Sequence, residues 1–237
     1  MNKWKTTVRY YCADYRFAVA MFYLVIVALL LLSVLLEHMV EKGGQINGFD
    51  VSACVFMLVM GMNSFKPTLR MLLQNGVSRR TLFRGFFCSG ALVALMMAVG
   101  NLAVAWIGDA LIHYTPLYEM IYGGAGNALL STLWNFCLFF MAVTLGFLIT
   151  VLYYRMNRGQ KTVVSIAVPA LLAVVLPLVD YSLLSGRIAA ALEKFLLAVM
   201  GLSAGPYPFL AVLFFLTLSA VFAGLSFLLV RRAPIKD

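Results

Sequence analysis

The sequence predicts an all-α integral membrane protein with six transmembrane helices. Hydrophobic residues make up 63% and charged residues 11% of the 237 positions, whereas soluble globular domains are about half apolar and a quarter charged. The apolar residues form long blocks separated by short polar stretches, and the basic residues are concentrated in alternate connections. Water is therefore not the solvent for most of the surface, and a single transmembrane domain over residues 1–237 is expected.

Six apolar blocks are long enough, or nearly long enough, to cross a bilayer. A hydrocarbon layer of about 30 Å needs roughly 20 helical residues, because each residue advances a helix by about 1.5 Å. Lipid offers no hydrogen bonds to the backbone, so these blocks predict helices. The second block has only 15 residues, and we expect its ends to extend into the flanking sequence. The blocks are 18–36, 51–65, 85–108, 128–154, 163–179 and 209–230.

Residues 3–17 predict an interfacial helix before the first span. Their aromatic and apolar residues recur at spacings of three and four, and their basic residues lie about 100° around the same helix. Such a helix can lie in the headgroup plane with its aromatic face towards the lipid. The alternative is a basic tail that only orients the first span. The residues are Trp4, Val8, Tyr11 and Tyr15 on one face and Lys5, Arg9 and Arg16 on the other.

The distribution of charge predicts the orientation. Fifteen of the 18 lysine and arginine residues precede the first block, follow the sixth, or lie in the second and fourth connections. The positive-inside rule places these segments, and both termini, in the cytoplasm. Acidic residues show the opposite bias. The net charge of +9 is therefore a signal of orientation, and no nucleic-acid partner is expected.

The connection over 66–84 predicts a short amphipathic cytoplasmic helix, a turn and the start of the third span. Asn75 and Gly76 predict the helix stop, with Gly76 at positive φ. Ser78 is typical of the N-cap of the next helix. Arg79 and Arg80 oppose the dipole of that helix in its first turn. Their placement therefore requires anionic lipid headgroups or an acidic partner surface.

Residues 182–208 predict an external helical hairpin before the last span. An amphipathic helix is expected over 185–199, and the charged pair Glu193 and Lys194 argues against a seventh span. Glycine and proline residues over 201–208 then break the chain. The pattern leaves open whether this hairpin is re-entrant or lies on the membrane surface.

No pattern for enzyme chemistry occurs in the sequence. It has no GxxxxGK[ST] phosphate loop, no HExxH or GxSxG sequence, and no cluster of histidine and cysteine. Asp109 and Asp180 are expected at the outer ends of spans, within reach of water. Asn63, Asn101 and Asn135 are expected to form hydrogen bonds between helices. The sequence therefore predicts neither an enzyme, nor a resident metal or cofactor, nor an ion relay.

This order of segments, with the turn Gly76-Val77-Ser78-Arg79-Arg80, resembles the type-2 ATP-binding-cassette permeases. It resembles in particular the small subunits of bacterial antibiotic and peptide exporters, including permeases of the phenol-soluble-modulin exporter group. The resemblance implies a multi-pass protein of the bacterial cytoplasmic membrane that pairs with a second permease copy, identical or similar. It also implies a separate ATPase subunit, which would bind the ATP and Mg²⁺.

The resemblance further implies which residues would transmit force and which would line the path. The loop after the second span would be a coupling helix that docks on the ATPase subunit, and the second and fifth spans would line the path between two copies. Pro169 and Pro177 would be flexing points of the fifth span. The implied coupling residues are Lys66, Arg70, Gln74, Asn75, Gly76, Val77, Ser78, Arg79 and Arg80, and the implied path residues are Phe56, Met57, Met60 and Asn63.

The leading hypothesis is the membrane-spanning subunit of an ATP-driven exporter. Its substrates would be amphipathic or hydrophobic compounds, such as toxic or antimicrobial peptides or drug-like molecules. The alternative is a non-transporting immunity or scaffold protein that binds a toxic peptide within the membrane. A secondary transporter is a weaker hypothesis, because it predicts internal repeats or buried carboxylates in the spans, and the sequence indicates neither.

Overall fold

The computed structural model describes residues 3–39, 48–65, 71, 74–112, 114–123, 127–183, 185–203 and 205–231. Within these ranges the chain is helical apart from its connections and contains no strand, which confirms the predicted all-α class. The helices are α1 (Lys3–Met39), α2 (Phe49–Asn63), α3 (Arg79–Ile112), α4 (Leu117–Tyr122), α5 (Ala128–Arg155), α6 (Arg158–Ala170), a π-helical segment (Leu171–Val175), α7 (Leu176–Leu183), α8 (Arg187–Val199) and α9 (Pro208–Arg231).

Five stretches of helix in the described chain are long and apolar enough to cross a membrane. They belong to α1, α3, α5, the continuous helix from α6 to α7, and α9. The 15 residues of α2 span about 22 Å, less than the ~30 Å of a hydrocarbon layer. A multi-pass membrane protein is therefore supported, and a sixth crossing by α2 stays a prediction.

Helices α1, α2, α3, α5 and α9 form the main bundle, and small residues bring α2 and α5 into close contact. The Cα of Gly61 lies against the carbonyl oxygen of Val143, and the Cα of Gly146 lies against that of Leu58. In both places an added Cβ would overlap backbone atoms of the other helix. Thr150 strengthens the crossing, because its hydroxyl donates a hydrogen bond of 2.6 Å to the carbonyl of Met62.

The predicted interfacial helix over 3–17 is corrected by the structure. These residues form the first part of α1, a continuous helix of 37 residues. Tyr11 and Tyr15 are buried, and Tyr15 donates a hydrogen bond of 2.6 Å to the hydroxyl of Ser64 at the end of α2. Thr7 lies directly against Gly85 of α3. Tyr11 and Tyr15 therefore pack on protein, because α2 and α3 extend far enough to cover them, whereas Trp4 is 40% exposed.

The fifth span, from α6 to α7, stands apart from the bundle. No residue in its most apolar window is buried, and Leu171 and Leu172 are more than half exposed. The π-helical segment follows Pro169, which has no N–H to donate and whose ring crowds the preceding turn. The apolar part of the span is thus uncovered by the rest of the described chain, and it is locally widened at its middle.

The predicted hairpin over 182–208 consists of the end of α7, a tight turn, α8 and an irregular connection to α9. Asp180 holds the turn, because its carboxylate accepts hydrogen bonds from the N–H groups of Ile188 and Ala189 at 2.8 and 2.9 Å. The expectation that water reaches Asp180 is therefore wrong, since its side chain is 5% exposed. Asp180 is buried because its carboxylate lies against the start of α8, where it accepts hydrogen bonds from N–H groups that have no partner within the helix.

Candidate functional site

The turn between α2 and α3 is the candidate site, and its described part has the local structure that the sequence predicts. The N–H and the side-chain Nδ2 of Asn75 both donate to the carbonyl of Met71, at 3.2 and 2.9 Å. Gly76 has φ of 67°, a left-handed conformation that costs little only for glycine. The helix stop at Asn75 and Gly76 is therefore confirmed. Lys66 and Arg70 lie outside the described residues.

Ser78 starts α3 as its N-cap, as predicted. Its hydroxyl oxygen accepts a hydrogen bond from the N–H of Thr81 at 3.2 Å, and its carbonyl accepts one from the N–H of Leu82 at 2.9 Å. The cap satisfies one of the free N–H groups of the first turn. Val77, beside it, is buried in the main core. Two adjacent residues thus fix the turn to the bundle.

Arg79 has a role that the sequence analysis missed. Its guanidinium donates hydrogen bonds to the carbonyls of Val230 and Arg231, at 3.4 and 3.2 Å, at the C-terminal end of α9. A cation there satisfies unpaired carbonyls and complements the negative end of the helix dipole. Arg79 therefore needs neither lipid nor a partner to explain its position. No local signal could have revealed a contact between residues 151 positions apart.

The remaining residues of the turn point to solvent. Gln74, Asn75, Gly76, Ser78 and Arg80 are exposed, whereas Val77 and Arg79 are buried and partly buried. The turn thus has an exposed polar edge and an inner edge that holds it to α3, α9 and the core. We refer to residues 74–80 as the coupling turn.

The coupling turn lies at one end of the bundle together with many exposed arginines, and we call this the basic end. Contacts join the start of α1 to the start of α3, the end of α2 to the end of α5, and the start of α3 to the end of α9. The charge pattern had assigned these same ends to one side. The exposed arginines of the basic end are Arg9, Arg16, Arg80, Arg84, Arg155, Arg158 and Arg231.

The four residues implied for the translocation path do not share one surface. Met57 and Met60 are buried in the main core. Phe56 is partly buried and stacks on Phe22 of α1, with ring centroids 4.6 Å apart. Asn63 is exposed at the end of α2. In this conformation, the two methionines fill the interior of a single chain.

Comparison with known proteins assigns neither a family nor a function to the chain. No known protein family, curated protein or solved structure matches the chain.

Proposed function

We propose that the chain is the membrane-spanning subunit of an ATP-driven exporter of amphipathic or hydrophobic compounds such as peptides. In this proposal the basic end faces the cytoplasm, as the positive-inside rule requires. A separate ATPase subunit binds ATP and Mg²⁺ and docks on the coupling turn. The protein works in the cytoplasmic membrane of a bacterium.

The observation that carries the proposal is the way the coupling turn is attached. Its polar edge is exposed for a partner, while Val77 anchors it in the core and Arg79 ties it to α9. Ser78 caps α3, which runs the full depth of the bundle as a helix of 34 residues. A push on the turn is therefore passed to α3 and α9 together, because packed helices move as units.

The isolated fifth span supports a second copy as the other partner. It is apolar, 25 residues long, and no residue in its most apolar window is buried within one chain. In a dimer, fifth spans of two copies would pack together and enclose a path for a hydrophobic substrate between the chains. Association in lipid would depend on close packing, since lipid chains are as apolar as the span.

Transport by the intact membrane protein tests the proposal. Inverted membrane vesicles that contain the chain and its ATPase are expected to accumulate a labelled amphipathic cationic peptide only when MgATP is added. The variant Arg80→Glu reverses an exposed charge of the coupling turn and is expected to reduce ATPase recovery with the purified chain by at least tenfold. The matched control, Arg187→Glu, changes an exposed arginine on α8 and should leave that recovery unchanged.

Two outcomes would contradict export. Uptake under an ion gradient without ATP would indicate a secondary transporter. Protection of cells against a toxic peptide that persists without the ATPase would indicate an immunity or scaffold protein. Equal loss of ATPase recovery in Arg80→Glu and Arg187→Glu would show that the coupling turn is not the docking surface.

A further inference from the structure

An open groove of about 500 Å³ lies at the basic end, between the start of α1 and the start of α3. We call it the basic-end groove. Three of its five lining side chains are aromatic, one is a cation and one carries a hydroxyl group. The groove thus joins apolar surface to a positive charge. Its lining residues are Trp4, Thr81, Phe83, Arg84 and Phe87.

The basic-end groove lies where the apolar part of the bundle ends. Phe83 on its wall contacts Phe227 of α9, with ring centroids 5.2 Å apart. Leu228, the next residue of α9, is 62% exposed, so this helix keeps an apolar surface down to the level of the groove. On α3, the apolar block begins directly after Arg84. In a bilayer the groove therefore lies at the boundary between hydrocarbon and headgroups, where tryptophan is also favoured.

Arg84 is a cation without a counter-charge in the described part of the chain. Its side chain is exposed, and its guanidinium donates a hydrogen bond to no described residue. Arg79 differs, because the carbonyls at the end of α9 accept hydrogen bonds from its guanidinium. Arg80 is a second exposed cation, one turn before Arg84 on the same face of α3. A phosphate at Arg84 would therefore meet uncompensated positive charge and a guanidinium suited to two parallel hydrogen bonds.

The other polar groups near the groove also favour an anion. No carboxylate is among the described residues that line it, and Asp14 lies ten residues, about 15 Å of helix, beyond Trp4 on α1. The hydroxyl oxygens of Thr81 and Ser78 are 2.8 Å apart, and either can be the donor. Thr81 can therefore accept a hydrogen bond from Ser78 and donate one to a phosphate oxygen.

We propose that the basic-end groove holds one anionic phospholipid from the adjoining leaflet. Its phosphate lies at Arg84 and Thr81, and its acyl chains lie on Trp4 and on the exposed face of α3. That face continues through Leu92 and Leu95, which are 47% and 48% exposed. The distance along α3 from Arg84 to Leu95 is about 16 Å, close to half of the ~30 Å hydrocarbon layer. The inference needs neither ATP nor a partner subunit, and Arg84 lies outside the coupling turn.

Native mass spectrometry of the purified full-length chain in detergent micelles tests the inference. The chain is mixed with equal amounts of dioleoyl phosphatidylglycerol and dioleoyl phosphatidylethanolamine, which have the same acyl chains. One phosphatidylglycerol per chain should be retained, at least fivefold in excess of phosphatidylethanolamine. No retained lipid, or equal retention of both lipids, would overturn the inference. Displacement of the lipid by an equal concentration of glycerol 3-phosphate or of an acidic peptide would overturn it too, because neither has acyl chains.

The variant Arg84→Gln separates lipid binding from a structural role. Affinity for phosphatidylglycerol should fall at least tenfold, while the midpoint of thermal unfolding without added lipid stays unchanged because the side chain is exposed. Added phosphatidylglycerol should raise this midpoint in the original chain and not in Arg84→Gln, since a ligand of the folded state stabilises that state. Arg155→Gln is the matched control, an exposed arginine of the basic end on α5. Equal loss of affinity in the control would indicate general attraction to the basic end and would overturn the inference.

The aromatic wall of the groove provides a second test. Trp4→Ala should weaken retention of phosphatidylglycerol several-fold, while the preference over phosphatidylethanolamine remains because Arg84 is still present. Trp106→Ala is the matched control, because Trp106 is 67% exposed and lies near the other end of α3. Unchanged retention in Trp4→Ala, or equal weakening in Trp106→Ala, would show that the lipid does not occupy the basic-end groove.

Discussion

Asp50 joins three helices through one carboxylate. It lies in the first turn of α2 and accepts hydrogen bonds from α3, from Tyr114 and from the start of α4. In a buried site each of these bonds is worth more than in water, because an unpaired group there cannot turn to solvent. The end of the bundle opposite the basic end is therefore expected to depend on this residue.

The variant Asp50→Asn is expected to lower the free energy of unfolding by about 1–3 kcal/mol. The new NH₂ group would face a donor and leave buried polar groups unpaired. Chemical unfolding in detergent, followed by tryptophan fluorescence, measures the change. Asp14→Asn is the control, because Asp14 is exposed on α1 and its replacement should cost less than about 0.5 kcal/mol. Equal costs for the two variants would contradict this role of Asp50.

Single residues were predictable where their chemistry is local. Ser78 and Gly76 were assigned correctly, because a cap and a left-handed glycine depend on a few neighbouring residues. Asn101 does bond between helices, but its partner Asp50 directly precedes the second apolar block of the sequence. The bond depends on how α2 and α3 are aligned, which spacing along the chain does not specify.

At the scale of elements, the crossing of α2 and α5 depends on glycine. Gly61→Ala and Gly146→Ala should each lower the free energy of unfolding by more than about 2 kcal/mol, because the new methyl group would meet backbone atoms and push the helices apart. Gly224→Ala on α9 is a matched control, since open space surrounds it. Thermal unfolding in detergent should show a stable or slightly stabilised Gly224→Ala, and equal loss in all three variants would contradict the role of the crossing.

The start of α3 yields a second prediction at this scale. Ser78→Ala removes the acceptor of the Thr81 N–H and is expected to cost about 0.5–2 kcal/mol. Hydrogen exchange should quicken at Thr81 and Leu82 while the middle of α3 keeps its protection. Thr217→Ala within α9 serves as the control, because the Thr217 hydroxyl bonds only to its own helix. Unchanged exchange at Thr81 would contradict capping by Ser78.

The length of the apolar blocks predicted the long helices well. Features that depend on tertiary packing were predicted less well. The blocks over 85–108, 128–154 and 209–230 correspond to α3, α5 and α9, each longer in the structure than its apolar block. The separation of 3–17 from the first span was wrong, because amphipathicity does not tell whether protein or lipid covers the aromatic face. The same amphipathic pattern fits a helix face covered by protein and a helix face covered by lipid.

For the whole molecule, the exposed fifth span predicts contact between two copies. In a chain whose four cysteines are replaced by alanine, Leu172→Cys should form disulfide-linked dimers in native membranes when an oxidant is added. Leu213→Cys on α9 is equally exposed and is expected to remain monomeric. Gel electrophoresis without reducing agent measures the dimer. Crosslinking of Leu213→Cys alone would place the contact on α9 and contradict this prediction.

The charge pattern described the whole molecule better than any motif. It grouped the ends of the spans correctly, since segments rich in arginine meet through the contacts of Tyr15, Thr7 and Arg79. The cavity between α3, α4 and α5 could not be predicted, because its residues come from separate helices and only their packing leaves space between them.

The π-helical segment at 171–175 divides the fifth span into two helical parts whose faces are rotated relative to each other. One extra residue in a turn rotates everything beyond it by about 100° relative to a continuous α-helix. A straight stripe of side chains on α6 therefore continues on a different side of α7. Any neighbour that runs alongside the span must meet it as two offset patches, not as a single seam.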